Sequence, residues 1–225
     1  MRTPRDPRRH RAAGFSTADV LAATALTLML AGVIYSFNRA QLKAFAARRV
    51  YVDSQMITRS AMDLLSRELR MAAYDPAGTA LTTAPGPNCP GNKQGFLEAR
   101  AAKVRFKQDL NSDGVISGTG EDVTYELVGT DIMRTDGSQP PALLVDHVTG
   151  TGLNFRYFDG SNPPVELVPS GSPPALTPGQ RDCIAKIRVK VEASFPNPDP
   201  RAASKPVKSL ASSEIAVRNR SLNNL

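Results

Sequence analysis

The 225 residues are 41% hydrophobic but only 6% aromatic, with no tryptophan, which is material for one ordinary core and not for several domains. The formal charge of +7 suggests a polyanion partner, yet most of the excess sits in Arg2, Arg5, Arg8, Arg9 and Arg11, opposed only by Asp6. No later run of lysine and arginine carries interleaved aromatics, which argues against nucleic-acid binding.

From Val20 to Asn38 the chain has no charge and consists mostly of Ala, Leu, Thr, Val, Ile and Met. At about 1.5 Å of rise per residue this is enough to cross a bilayer core. The arginines before it should stay cytoplasmic, which sends the rest of the chain across the membrane. A cleaved secretory signal fits less well, because its apolar region runs roughly 7 to 15 residues. The small-x-small site Ala44-Phe45-Ala46 also falls after Arg39 and Lys43. Asp19 is the one acid between Arg11 and Phe37. A carboxylate in hydrocarbon is costly and persists with a partner or a function, unless it simply lies among the headgroups.

A basic leader ending in Gly14, then Phe15, then an acid five residues after the glycine at the head of an apolar helix resembles the class III signal of type IV pilins and type II secretion pseudopilins. The resemblance implies that prepilin peptidase removes residues 1–14 and N-methylates Phe15, so that the apolar helix is retained. Asp19 then takes the place of the family's glutamate at mature position five. Its carboxylate would pair with the new ammonium at Phe15 of the same or a neighbouring subunit and so set the axial stagger of packed helices. This chain departs from the family in using aspartate, one methylene shorter.

The helix should continue past the membrane, since residues 39–73 contain neither Gly nor Pro. Ile57, Ala61, Leu64, Leu65, Leu69 and Ala72 recur at three- and four-residue steps beside Arg59, Asp63, Arg67 and Arg70, so one face packs while the other meets water. Tyr74-Asp75-Pro76-Ala77-Gly78 is expected to end it. The division that follows is a transmembrane half over 15–38, a second half over 39–75 and a β-rich head over 76–225. The segment MDLLSRELRMAAYDPAG, Met62 to Gly78, is similar to the helix end of PilW-like minor pilins and of the J-type minor pseudopilins of type II secretion. SSEIAVRNR, Ser212 to Arg220, is similar to their final strand.

After Gly78 the period changes to two. Val104 and Phe106, Val123 to Leu127, Leu153 to Tyr157, and Ile187 to Ala193 alternate with polar residues, as strands with one buried face do. They predict a mostly antiparallel sheet, joined by loops rich in Pro and Gly around residues 90, 136–141 and 169–180.

Two clusters could carry chemistry. Asp109, Asn111 and Asp113 alternate before Gly114, like the opening of a calcium loop, which would make a structural calcium ion the one cofactor to expect. The twelfth position is Gly120 instead of Glu, and the flanks are strand-like, so a plain turn of Asn, Asp and Gly explains the same residues. Cys89 and Cys183 are the only cysteines, lie on the side expected to be oxidising, and lack metal or redox spacing, which favours a disulfide over free thiols. Catalysis has no foothold: His10 is in the leader, His147 stands alone, and no G-x-S-x-G occurs.

The sequence therefore reads as an α+β, pilin-like chain with its long N-terminal helix on the sheet. The resemblance implies a minor pilin in the inner membrane with its C-terminal domain in the periplasm. With other minor pilins and the major pilin it would prime type IV pilus assembly and sit at the tip. A J-type minor pseudopilin is the near alternative, and a membrane-anchored periplasmic calcium-binding or adhesive module the distant one.

Overall fold

The computed structural model describes residues 16–82, 89, 93–198 and 205–217. It separates into two compact units, Met1–Ala46 and Ala47–Leu225. The helix α1, Thr17–Met71, contributes to both.

In the first unit α1 buries no side chain: Leu28 is 74% exposed and Met29 73%. Its polar side chains are dealt with locally. Thr24 Oγ1 donates to the Leu21 carbonyl at 2.9 Å, Thr27 Oγ1 to Ala23 at 2.8 Å and Ser36 Oγ to Val33 at 2.8 Å. Hydroxyls that bond back to their own helix leave an outer surface fit for hydrocarbon. This stretch is long and apolar enough to cross a membrane.

In the second unit α1 presents a packed seam of Ser54, Thr58, Ala61, Met62, Leu65, Ser66 and Leu69. The register is shifted from the sequence expectation, since Ile57 is 39% exposed and Leu64 only half-buried. Small hydroxyl residues take the inner positions because Ser54 Oγ and Thr58 Oγ1 satisfy themselves on the carbonyls of Tyr51 and Ser54, each at 2.8 Å. Closely approached, satisfied hydroxyls cost little to bury.

Two antiparallel sheets, where the sequence suggested one, complete the unit. The first has the order β1 (Phe96–Ala99), β2 (Lys103–Lys107), β3 (Asp122–Val128), β4 (Asp131–Asp136), β5 (Ala142–Val145). In the second, β7 (Glu166–Leu167), β6 (Val148–Phe158), β8 (Lys186–Phe195) and β9 (Val207–Ala216) lie side by side in that order. Their inner faces share one core with the helix: Leu65 and Leu69 meet Phe106, Val123 and Tyr125 from one sheet and Phe155, Ile187, Val189 and Ile215 from the other in a single cluster. The sheets are also tied at their ends, where Tyr157 Oη donates to the Arg100 carbonyl at 2.8 Å and the Phe155 amide donates to Ala101 at 2.7 Å.

The helix ends at Met71, short of the expected Asp75. Ala73 turns into the left-handed region at φ 63°, where its amide donates to the Lys107 carbonyl at 2.9 Å. The Asp109 amide donates back to Tyr74 at 2.7 Å. The chain thus leaves the helix by pairing with the end of β2, before Pro76 can act. Gly95 passes over this corner so closely that a Cβ there would stand 2.2 Å from that of Ala73.

Candidate functional site

Gly14 and Phe15 lie outside the described residues. Asp19 occupies the first turn of α1, exposed. Its Oδ2 accepts the Ser16 amide at 3.1 Å while Ser16 Oγ accepts the Ala18 amide at 3.3 Å. The Ser16 hydroxyl thus caps the second amide of the helix while Asp19 at the third position reaches back to the Ser16 amide, a variant of the capping box. The acid therefore has work inside its own chain: it satisfies a donor that the helix start would otherwise leave open, and its charge opposes the positive end of the helix dipole. The S-x-x-D spacing that announces this cap is visible in the sequence and was not among the sequence expectations.

The loop between β2 and β3 carries Asp109, Asn111 and Asp113. Asp109 is fully buried and accepts the amides of Ser112 at 2.7 Å and Gly114 at 3.1 Å. Asp113 is exposed and accepts the Val115 amide at 2.7 Å and the Asn111 side-chain amide at 2.8 Å. Glu121 is the hub the sequence did not single out. It is buried, and its two oxygens accept the amides of Leu110 at 3.1 Å, Asn111 at 3.4 Å, Ser117 at 3.0 Å and Gly118 at 2.5 Å. Gly118 permits that approach, since a Cβ there would press on the Glu121 carboxylate at 2.9 Å. Among the described residues no group of three His, Cys, Asp or Glu side chains is placed to hold a metal ion. The carboxylates here serve as acceptors for loop amides.

Cys89 and Cys183 are bonded, with Cα atoms 5.3 Å apart and a sequence separation of 94. Cys183 is held at the end of α2 (Pro178–Asp182), a short helix opened by Thr177 and Gln180 in a capping box. A crosslink across so long a loop is worth about 4 to 5 kcal/mol in the chain-entropy account.

A further polar cluster joins helix to sheet and could not be read from spacing. Glu68 accepts the Tyr125 hydroxyl at 2.5 Å and two guanidinium N–H groups of Arg134, at 2.9 and 3.2 Å. Tyr125 and Arg134 are cross-strand partners on β3 and β4, so one acid on α1 clamps two neighbouring strands. Burial, reinforced by the adjacent Glu68 charge, raises the Tyr125 hydroxyl far above its ordinary range and keeps it a neutral donor. Arg134 is held charged: burial works against the cation, but the Glu68 carboxylate outweighs it. Arg134 also reaches Asp136 at 3.4 Å, and Asp136 accepts the Gly120 amide at 2.8 Å, which carries the clamp on to the Asp109–Glu121 loop. The one hint in the sequence is the position of Glu68, three residues after Leu65 and four before Ala72, at the margin of the packed seam.

His147 sits at φ 56° between β5 and β6, its Nδ1 3.1 Å from Asp146 and its ring 5.3 Å from that of Phe195. These are the contacts of a corner residue. Set against protein-family models, curated proteins and solved structures, the chain matches nothing in any of the three.

Proposed function

We propose that the chain is a PilW-like minor pilin, made with a leader that prepilin peptidase removes after Gly14 and anchored by the start of α1 in the inner membrane until it assembles. Together with other minor pilins and the major pilin it primes a type IV pilus and stays at the tip, with its β-rich unit on the periplasmic side. The observation that carries this reading is the division of labour in α1. An apolar stretch that buries none of its side chains, with an acid in its first turn, belongs to the same helix whose later turns close a disulfide-bonded β-rich core. Helices that end in nothing but exposed Leu, Val, Ile and Met need lipid or other helices around them.

The test is the amino terminus. Mass spectrometry of the protein taken from its native membrane should find N-methylated Phe15 as the first residue, and Gly14→Leu should leave an inserted precursor that does not assemble. Met1 retained in the mature protein would end the pilin reading and favour a membrane-anchored calcium-binding or adhesive module. That module would also melt at a lower temperature after chelation, an effect that Asp113→Ala would abolish. The J-type minor pseudopilin shares the processing, and co-purification with secretion components in place of pilus components would identify it.

A further inference from the structure

We propose that the open edge of β9, together with the arginine-bearing flank of α1, is a docking groove for an extended acidic strand of another polypeptide. β9 closes one side of the second sheet and pairs only with β8 among the described residues, which leaves the backbone groups of its outer edge on offer. A groove of about 520 Å3 runs beside it, lined by Leu210, Ala211, Ser212 and Ser213. Successive strand side chains point to opposite faces of a sheet, so four consecutive residues border one groove only where it follows the strand's edge. The groove therefore opens onto the part of β9 that can accept a further strand.

The opposite wall belongs to α1 and is charged. Arg59, Asp63, Arg67 and Arg70 line it at helical spacing, three cations against one acid. Among the described residues none of these three arginines has an ion-pair or hydrogen-bond partner for its side chain. Other arginines of the same unit are matched: Arg105 with Asp122, Arg134 with Glu68, Arg156 with Glu166 and Arg188 with Glu214. Glu214, the one acid on β9, is taken by Lys186 and Arg188. Positive charge is thus left uncompensated along one open strand edge.

A polypeptide adding to that edge would satisfy the backbone groups of β9. Acids on alternate positions would reach the guanidinium forks of α1, and apolar residues between them would cover Leu210, which is 57% exposed. Charge chooses this occupant over two others. The chain's own residues 218–225 bring Arg218 and Arg220 and no acidic side chain, and a second copy is itself net positive, +7 with the five arginines and one aspartate of residues 1–14 and +3 without them. The surface lies wholly in the second unit and does not depend on processing at Gly14.

The experiment uses the full-length protein in detergent micelles and a fluorescent peptide of about eight residues, one strand in length, alternating glutamate and valine. The peptide should bind, and more weakly as salt is raised. A peptide with lysine for glutamate, the acidic peptide with alternate backbone amides N-methylated, and the acidic peptide on the R67E/R70E protein should each bind at least about tenfold more weakly. Both arginines are exposed, and the loss of Arg70 from the last turn of α1 should lower the melting temperature of the variant only slightly. Equal binding by the lysine peptide or by R67E/R70E would overturn the charge assignment, and equal binding by the N-methylated peptide would overturn strand addition. Binding that appears only after residues 218–225 are removed, or dimerisation of the full chain that R67E/R70E abolishes, would give the groove to this chain itself and also overturn the proposal.

Discussion

The two stretches of α1 invert the usual relation between hydrophobicity and burial. The stretch up to Ala46 holds Leu21, Leu26, Leu28, Leu30, Val33 and Ile34, and all are more than half exposed. The stretch from Ala47 to Met71 is richer in charge, yet it alone reaches the core, through a seam in which Ser54 and Thr58 are as hidden as Leu65 and Ser66 is buried beside them. Burial here is decided by what the residues are offered. The second stretch is offered two sheets, so its small residues let the helix approach closely. The first is offered nothing by the other described residues, and its composition is fitted to another apolar medium.

The largest effect that can break this contrast is a pair of truncations. Leu65→Ala removes a side chain with no exposure at the centre of the core and should cost about 2 to 5 kcal/mol. Leu28→Ala removes the same atoms from a side chain that is 74% exposed and should leave the unfolding of the second unit unchanged. Thermal unfolding of the full chain in micelles compares them directly. A Leu28→Ala destabilisation as large as that of Leu65→Ala would mean that the first stretch has a packing partner inside the chain after all.

The sequence made the gross contrast plain and the details less so. Strands β2, β3, β6 and β8 announced themselves because Val, Phe, Tyr and Ile alternate with polar residues over a full buried face. β4 and β5 did not: only Ile132 of Asp131–Asp136 is fully buried, and β5 is a short edge with Leu143 58% exposed, so neither carries a two-residue period. The helix face was misjudged at Ile57 because an apolar residue ranks above serine on any scale, whereas Ser54 and Thr58 fit the close approach and bond to their own helix. Two lone cysteines made the disulfide readable. The Glu68 clamp was not readable, since its partners Tyr125 and Arg134 stand 57 and 66 positions away and only the fold brings them together.

A smaller effect compares the two ends of the helix, each served by an aspartate that accepts backbone amides. Asp75, just past the C-terminal end, has its side chain buried, and takes the amides of Leu81 at 3.0 Å and Ala80 at 3.3 Å with Lys93 3.3 Å away. Burial by itself would raise its carboxyl, but the Leu81 and Ala80 amides and the Lys93 ammonium outweigh it and hold the pKa below the ordinary 3.8. A depressed folded pKa means that the unfolded chain takes up the proton first as pH falls. This stability is complete above the unfolded value and disappears as pH drops through the folded one. Asp75→Asn should cost about 1 to 3 kcal/mol at neutral pH. The gap between wild type and variant should stay level from about pH 5 to 8 and narrow below about pH 4. A gap that stays the same width into acid would show that Asp75 contributes shape and not charge.

The smallest effect on stability belongs to Asp19, and it separates two roles for one carboxylate. As the acid of this N-terminal cap, Asp19 holds the Ser16 amide, and its loss should cost under about 1 kcal/mol, confined to the first turn of an exposed helix end. Asp19→Ala should therefore leave the melting of the second unit unchanged and raise amide exchange only around residues 16–20. Insertion should not suffer, because removing a charge from an apolar helix makes transfer to lipid easier. Under the proposed processing a second role appears, since the ammonium created at Phe15 lies one residue before Ser16 and competes with its amide for the same oxygens. Asp19→Glu keeps a carboxylate with a longer reach and should retain both roles, whereas Asp19→Lys places two cations at the positive end of the helix dipole and should lose both. Pilus number and co-purification of partner pilins, compared at equal membrane abundance, tell the roles apart. Assembly that fails in Ala and Lys but survives in Glu assigns the carboxylate to pairing between subunits. Faster exchange around residues 16–20 with assembly intact in all three variants leaves Asp19 as a helix cap and nothing more.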